Sequence, residues 1–196
     1  VSLDATDPDV LAWALGLETD QDSTGAISMV NDVRGFPNPD THSRLADSNV
    51  AVVVVHSILA QERATRDQAT PSEVLDSIER FFDTRLAELV RAGVSEERLI
   101  VDPGMGFFLG RDPAASVAVL QRIPELRARF GRPIFISVSR KSFLRALSGR
   151  AIEGIGAATL AAELYAAKEG ADFLRTHDVA DLRDGLAISS ALESKI

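Results

Sequence analysis

Apolar and polar positions come in two alternating rhythms along the chain. Short β-branched runs, densest at Val50–Val55, are each followed by a stretch with apolar residues at three- and four-residue spacing. The first rhythm predicts strands buried on both faces, as in a parallel sheet, and the second predicts amphipathic helices. Strands are expected at Val1–Asp4, at Ile27–Val30 running into Asn31-Asp32, and at Val50–Val55 running into His56-Ser57. Three more follow: Leu99–Val101 ending at Asp102, Pro133–Val138 ending in Ser139-Arg140-Lys141-Ser142, and Ala171–Leu174 ending in Arg175-Thr176-His177.

Helix starts carry their own punctuation. Asp7-Pro8 and Asp112-Pro113 each place a capping Asp before a Pro at the first helical position. Thr70-Pro71-Ser72-Glu73 is a capping box, and the helix behind it carries Val74, Leu75, Ile78, Phe81, Phe82, Leu86, Leu89 and Val90 as one stripe up to a stop at Gly93. Further helices are expected around Thr41–Asp47, at Phe143–Leu147, over Gly156–Lys168 and from Asp178 to about Leu192. Glu18–Gly25 and Gln61–Ala69 are expected to be polar connections, and Arg34–Pro39 is a loop by its Gly and Pro content. Strand followed by helix, six times over, predicts an α/β fold with a parallel sheet and helical crossovers. No linker divides residues 1–196, so a single domain is expected. The pattern leaves two architectures open, a doubly wound sheet and part of a barrel.

Composition narrows the function classes. The chain has 196 residues, against roughly 250 for a complete β/α barrel. Its opening Val1-Ser2-Leu3-Asp4 starts inside a strand, from which a missing N-terminal portion is expected. Net charge is −8, and no basic stripe with interleaved aromatics occurs, so nucleic acid is not an expected partner. No apolar run has the length of a membrane span, and no membrane partner is expected. The absence of Cys rules out disulfides and thiolate metal sites and suits a cytoplasmic setting. His42, His56 and His177 lack metal-ligand spacing, and no metal site is expected in this chain.

The candidate chemistry sits at the strand ends. Asp4, Asn31 with Asp32, His56, Asp102, Ser139-Arg140-Lys141, and Arg175 with His177 close the six strands. In a parallel sheet such ends share one face, where α/β folds bind ligands. Individually, His56 also suits a satisfied buried histidine, Asp32 a turn former and Arg140 a surface charge. The early strands offer carboxylates and an amide, acceptors matched to the N–H edge of a planar heterocycle. The late strands offer Lys141, Arg175 and His177, a cationic set suited to phosphate or pyrophosphate. That polarity suits displacement of a phosphate leaving group from a heterocyclic substrate. There is no Gly-x-Ser-x-Gly or Walker-A motif, and Gly104-Met105-Gly106 is too short for a dinucleotide fingerprint.

Five motifs, taken in order, resemble one family. They are Ser2-Leu3-Asp4, Asn31-Asp32-Val33-Arg34-Gly35-Phe36, Asp102-Pro103-Gly104-Met105-Gly106-Phe107, Ser139-Arg140-Lys141-Ser142-Phe143 and Arg175-Thr176-His177. The chain resembles dihydropteroate synthase, which joins a pterin to p-aminobenzoate in folate biosynthesis. The resemblance implies a (β/α)8 TIM barrel, incomplete here, with about six βα units and the family's first two missing. It implies that Asp4, Asn31, Asp102 and Lys141 hold the pterin. Arg175 and His177 would take the leaving pyrophosphate, while Phe107, Lys141 and Ser142 would border p-aminobenzoate. Asp4, Asp102 and Lys141 would then serve catalysis, the carboxylates stabilising a cationic pterin methylene after pyrophosphate departs.

The resemblance also implies Mg2+, held by an Asn that lies in the missing part, and often a homodimer. An isolated piece of this kind is expected to be inactive. The family's Asp-Pro-Gly-x-Gly-Phe-Gly-Lys is interrupted here by two extra residues in Gly106-Phe107-Phe108-Leu109-Gly110-Arg111, and His56-Ser57 replaces His-Met. Both features resemble the sulfonamide-insensitive branch carried on mobile elements. An added aromatic, Phe107 or Phe108, can clash with a drug that extends past the p-aminobenzoate carboxylate and still admit the smaller substrate. Two rivals remain: a non-catalytic pterin-binding remnant, and a methyltetrahydrofolate-dependent methyltransferase barrel, which would not need the pyrophosphate-binding cations.

Overall fold

A computed structural model describes residues 1–16, 27–58 and 69–193. The connections expected at Glu18–Gly25 and over most of Gln61–Ala69 lie outside the described residues. The strands are β1 (Ser2–Asp4), β2 (Met29–Asp32), β3 (Ala51–Val55), β4 (Leu99–Asp102), β5 (Phe135–Ile136) and β6 (Phe173–Leu174). The helices are α1 (Pro8–Gly16), α2 (Pro39–Asp47), α3 (Pro71–Arg91), α4 (Pro113–Gln121), α5 (Ile123–Phe130), α6 (Ser142–Ser148), α7 (Gly156–Lys168) and α8 (Val179–Glu193). All strand pairings are parallel, with β1-β2-β3-β4 in one sheet and β5-β6 in another. The architecture is α/β with parallel pairing in each sheet, as expected.

The local signals hold in detail. Asp7 Oδ1 accepts from the Asp9 N–H at 2.8 Å, and Asp112 Oδ1 accepts from the Ala114 N–H at 2.8 Å. In the capping box, Glu73 Oε2 accepts from the Thr70 N–H at 2.8 Å while Thr70 Oγ1 accepts from the Glu73 N–H at 3.3 Å. Boundaries moved where tertiary pairing decides them. β5 and β6 are shorter than the expected Pro133–Val138 and Ala171–Leu174, because only Phe135–Ile136 and Phe173–Leu174 find ladder partners. The helix expected after Asp112 is two helices. Pro124 lacks the N–H that would continue the first, and it sits in the opening turn of the second.

The chain divides into two compact units. The first comprises Val1–Ser57 with Asp76–Pro103, and the second Ile58–Leu75 with Gly104–Ile196. The first is built on the four-stranded sheet, whose Val52, Val53, Val54, Leu99 and Val101 are buried. Ile78, Phe82 and Leu89 of α3 supply its helical cover. Arg98 ties the end of α2 to this sheet, donating to the carbonyls of Leu45 at 2.7 Å and Val50 at 3.2 Å. In the second unit, Ile134, Ile136 and Val138 form a buried stripe with Val119, Phe143 and Leu144.

Candidate functional site

Register sorts the polar strand ends of the first unit. Asp4 pairs with Asn31, Asn31 with Val53, and Val53 with Ile100, which puts them on one face. Asp102 lies two residues beyond Ile100 and therefore shares that face. Asp32 pairs with Val54, which pairs with Val101, so it points to the other side. Asp4, Asn31 and Asp102 are thus one set by backbone geometry alone. Asn31 is 5% exposed, and its Oδ1 has no hydrogen-bond partner among the described residues. A buried amide oxygen left in that state is costly unless a ligand supplies the donor.

Not every strand end contributes to that face, which corrects the expectation of six converging ends. Asp32 is a turn former. Its Oδ1 accepts from the Arg34 N–H at 2.8 Å and its Oδ2 from the Phe36 N–H at 3.0 Å. The turn carries Gly35 and Phe36 at φ 65° and 58°. Burial pushes the Asp32 carboxyl up, against the pull of those two N–H groups and of Arg34 and Arg85.

His56 is a satisfied buried histidine. Its Nδ1–H donates to the Pro103 carbonyl at 3.1 Å, and Nε2 meets Ser77 Oγ of α3 at 3.1 Å. The edge of Phe81 covers it at 5.4 Å between ring centroids. Burial lowers its pKa to about 4, with the Pro103 bond opposing. The imidazole is therefore neutral at pH 7.

The second unit holds the cationic and aromatic candidates. Gly104 and Gly106 stand at φ 77° and 64°, which only glycine adopts without strain. The Gly106 N–H donates to the buried Ser116 Oγ of α4 at 2.9 Å. A Cβ at Gly106 would lie 3.1 Å from Lys141 Cβ and 3.3 Å from Ser142 Oγ, so this loop packs directly on the Lys141-Ser142 turn. Phe108 lies under the Lys141 ammonium at 4.9 Å. Phe107 is 54% exposed, and Leu109 is buried. Phe107, Phe108, Lys141 and Ser142 are therefore features of one loop-and-turn surface.

Arg175 and His177 lie beyond β6. The Arg175 N–H donates to the Ile136 carbonyl at 3.0 Å, which extends the β5-β6 pairing to the turn. Ser139 Oγ accepts from the His177 N–H at 3.1 Å and lies 2.8 Å from its Nδ1. The Ser139 hydroxyl thus holds His177 at two points, its backbone N–H and its ring Nδ1. Arg140 is not a free surface charge: it sits at φ 58° and holds both Asp178 carboxylate oxygens, at 3.1 and 3.2 Å. Its backbone N–H donates to Thr159 Oγ1 at 3.3 Å.

Sequence reasoning missed Ser116, Thr159 and Glu163. All three are polar residues buried on otherwise apolar helix stripes. Thr159 and Glu163 are four residues apart on α7, the spacing of one helix face, and that was the signal available.

Comparison with known proteins identifies the family. The pterin binding enzyme family matches residues 1–177. Dihydropteroate synthase type-2 of Escherichia coli is 49% identical over 98% of this chain and 68% of its own length. The type-3 enzyme of Escherichia coli is 45% identical over 98% of this chain and 70% of its own length. The structure of dihydropteroate synthase from Xanthomonas albilineans in complex with 7,8-dihydropteroate superposes with TM-score 0.81 and 31% identity, covering 100% of this chain and 69% of that one. The chain therefore spans about two thirds of the length of these relatives. By sequence and fold it belongs to the pterin-binding enzyme family, among the dihydropteroate synthases.

Proposed function

We propose that the chain carries the pterin, pyrophosphate and p-aminobenzoate groups of a dihydropteroate synthase. The reaction condenses 6-hydroxymethyl-7,8-dihydropterin pyrophosphate with p-aminobenzoate to give 7,8-dihydropteroate and pyrophosphate. The observation that carries this reading is the set Asp4, Asn31 and Asp102 on one sheet face, with the Asn31 Oδ1 unpartnered among the described residues. Asp102 accepts from the amino and ring N–H edge, Asn31 accepts from a second donor, and Lys141 completes the pterin contacts. Arg175 and His177 receive the pyrophosphate.

The C–O bond at the pterin methylene breaks and its electron pair leaves with pyrophosphate. Asp4 and Asp102 stabilise the cation that remains. The aromatic amine, bordered by Phe107, Lys141 and Ser142, then forms the C–N bond and releases its proton to solvent. Among the described residues no three His, Cys, Asp or Glu side chains come together to hold the implied Mg2+. Every step above uses this chain's own groups.

Incubation with both substrates tests the reading. The isolated chain is expected to bind the pterin pyrophosphate without turnover, and Asp102→Asn is expected to abolish that binding. Absence of binding would overturn the reading, and robust formation of 7,8-dihydropteroate would overturn the expected inactivity of the isolated chain. Sulfonamide insensitivity is part of the proposal, carried by the exposed Phe107 beside Phe108. Phe107→Ala is expected to tighten sulfonamide binding about tenfold, by RT ln 10 of removed clash. Unchanged drug affinity would refute that part.

No helix among the described residues is long and apolar enough to cross a membrane. A cytoplasmic enzyme acting as a homodimer completes the proposal. Leu160 and Leu164 of α7 and Gly185, Ile188 and Leu192 of α8 line an apolar groove suited to a second copy. Sedimentation of Ile188→Glu as a monomer, against a dimeric parent, is the expected result. A monomeric parent would remove this element.

A further inference from the structure

Behind the Arg175-Thr176-His177 turn lies a carboxylate that the reaction above does not use. Glu163 of α7 is 2% exposed, and its Oε1 has no hydrogen-bond partner among the described residues. The carboxylate accepts from the Thr176 hydroxyl. Thr176 Oγ1 in turn accepts from the Asp178 N–H at 3.1 Å. The turn is therefore held at three successive residues: Arg175 through its N–H on Ile136, Thr176 on Glu163, and His177 on Ser139. Two of these anchors come from the β5 end, and the third is a side chain that enters from the helix layer.

A buried acid with one orphan oxygen opposes folding, so its place here calls for a local reason. Burial pushes its carboxyl up, the Thr176 bond pulls it down, and the nearby Asp178 charge pushes it up.

We propose that Glu163 is a positioning residue for the anion-binding turn, acting through Thr176 to set the orientation of Arg175 and His177. The proposal rests on the assignment of pyrophosphate to that pair. Thr176 lies between the two residues assigned to pyrophosphate, so its rotation moves both. Loss of the anchor frees the turn without touching either of those side chains.

Calorimetric titration of the chain with inorganic pyrophosphate, together with NMR of the His177 imidazole in the absence of ligand, tests this. Glu163→Leu and Thr176→Val are each expected to weaken pyrophosphate about fivefold, the worth of one hydrogen bond. Both are expected to shift or broaden the ligand-free His177 resonances. Glu163→Gln, which keeps an acceptor for Thr176, is expected to restore affinity to within about twofold of the parent. Glu163→Leu is expected to match or exceed the parent in thermal stability, which separates positioning from a general structural role. Parent-like pyrophosphate affinity and parent-like His177 resonances in Glu163→Leu overturn the proposal. Disturbed His177 resonances in a parent chain that does not bind pyrophosphate uphold the positioning role and refute the anion assignment instead.

Discussion

The Lys141 ammonium lies 4.9 Å from the centroid of the Phe108 ring. The loop from Gly104 to Gly110 thereby supplies more than bulk at the surface assigned to p-aminobenzoate. The ring presents its negative face to the one ammonium group on which both the pterin and p-aminobenzoate assignments depend, and it limits the rotamers of a long flexible side chain.

Replacing that ring by an apolar side chain without a π face tests the contact. Phe108→Leu is expected to weaken p-aminobenzoate binding about two- to fivefold, from a cation–π contribution of about 0.5–1 kcal/mol. Phe108→Trp is expected to retain the parent affinity. Calorimetry with p-aminobenzoate in the presence of pyrophosphate and a pterin reads both. Equal affinities across the three proteins would show that the ring does not act on Lys141.

Gly106 is a point of close approach between loop and turn. An alanine there must adopt φ 64° and bring its Cβ to 3.1 Å from Lys141 Cβ. The left-handed conformation alone costs roughly 1–2 kcal/mol for a non-glycine residue. Gly106→Ala is expected to lower stability by about that amount in urea unfolding. It should also weaken p-aminobenzoate binding well beyond what the stability loss explains, because Lys141 and Ser142 are displaced. Parent-like affinity in the folded variant would argue that this approach is packing alone.

Asn31 offers a separation of stability from function. Its Oδ1 is buried without a partner among the described residues, so the near-isosteric Asn31→Leu removes an unsatisfied acceptor. Thermal stability is expected to rise, by about 1 kcal/mol. Affinity for a pterin is expected to fall tenfold or more. A variant that is destabilised, or that binds pterin as well as the parent, would count against Asn31 as a ligand-facing acceptor.

His56 sets an acid limit on stability. Its pKa is lowered from 6.5 to about 4. Between those values the unfolded chain binds a proton that the folded chain refuses. The His56 contribution is therefore fully present above pH 6.5, declines as pH falls towards 4, and changes no further below that. Its size is about 3 kcal/mol by linkage. Urea midpoints for the parent and His56→Gln between pH 4 and 7 are expected to differ in slope, with the variant flatter. Parallel curves would show that His56 is not the group that titrates.

Much of the fold was legible because its signals are local. The caps at Asp7, Thr70 and Asp112 involve bonds to residues two or three positions away, and all three form as their sequences require. The Val50–Val55 run marks a strand buried on both faces because a parallel sheet with helical crossovers leaves no polar side. The position of Asp102 at a strand end follows from the same run length, and so does that of Asn31. Alternation of strand and helix then establishes a parallel α/β architecture, and the five motifs establish the family.

Which strand-end groups face a ligand was decided by register, which needs pairing partners far apart in sequence. Asn31 and Asp32 are adjacent, yet the pleat sends one to the face of Asp4 and Asp102 and the other into a turn. His56 looked equally available and is spent on Pro103 and on Ser77, 21 residues away. The bonds between Ser139 and His177, and between Arg140 and Asp178, each span 38 residues. Composition and spacing name the chemical groups a chain carries. Only the folded backbone decides whether each of them meets a ligand or another part of the chain, because that choice depends on distances between segments the local pattern does not set.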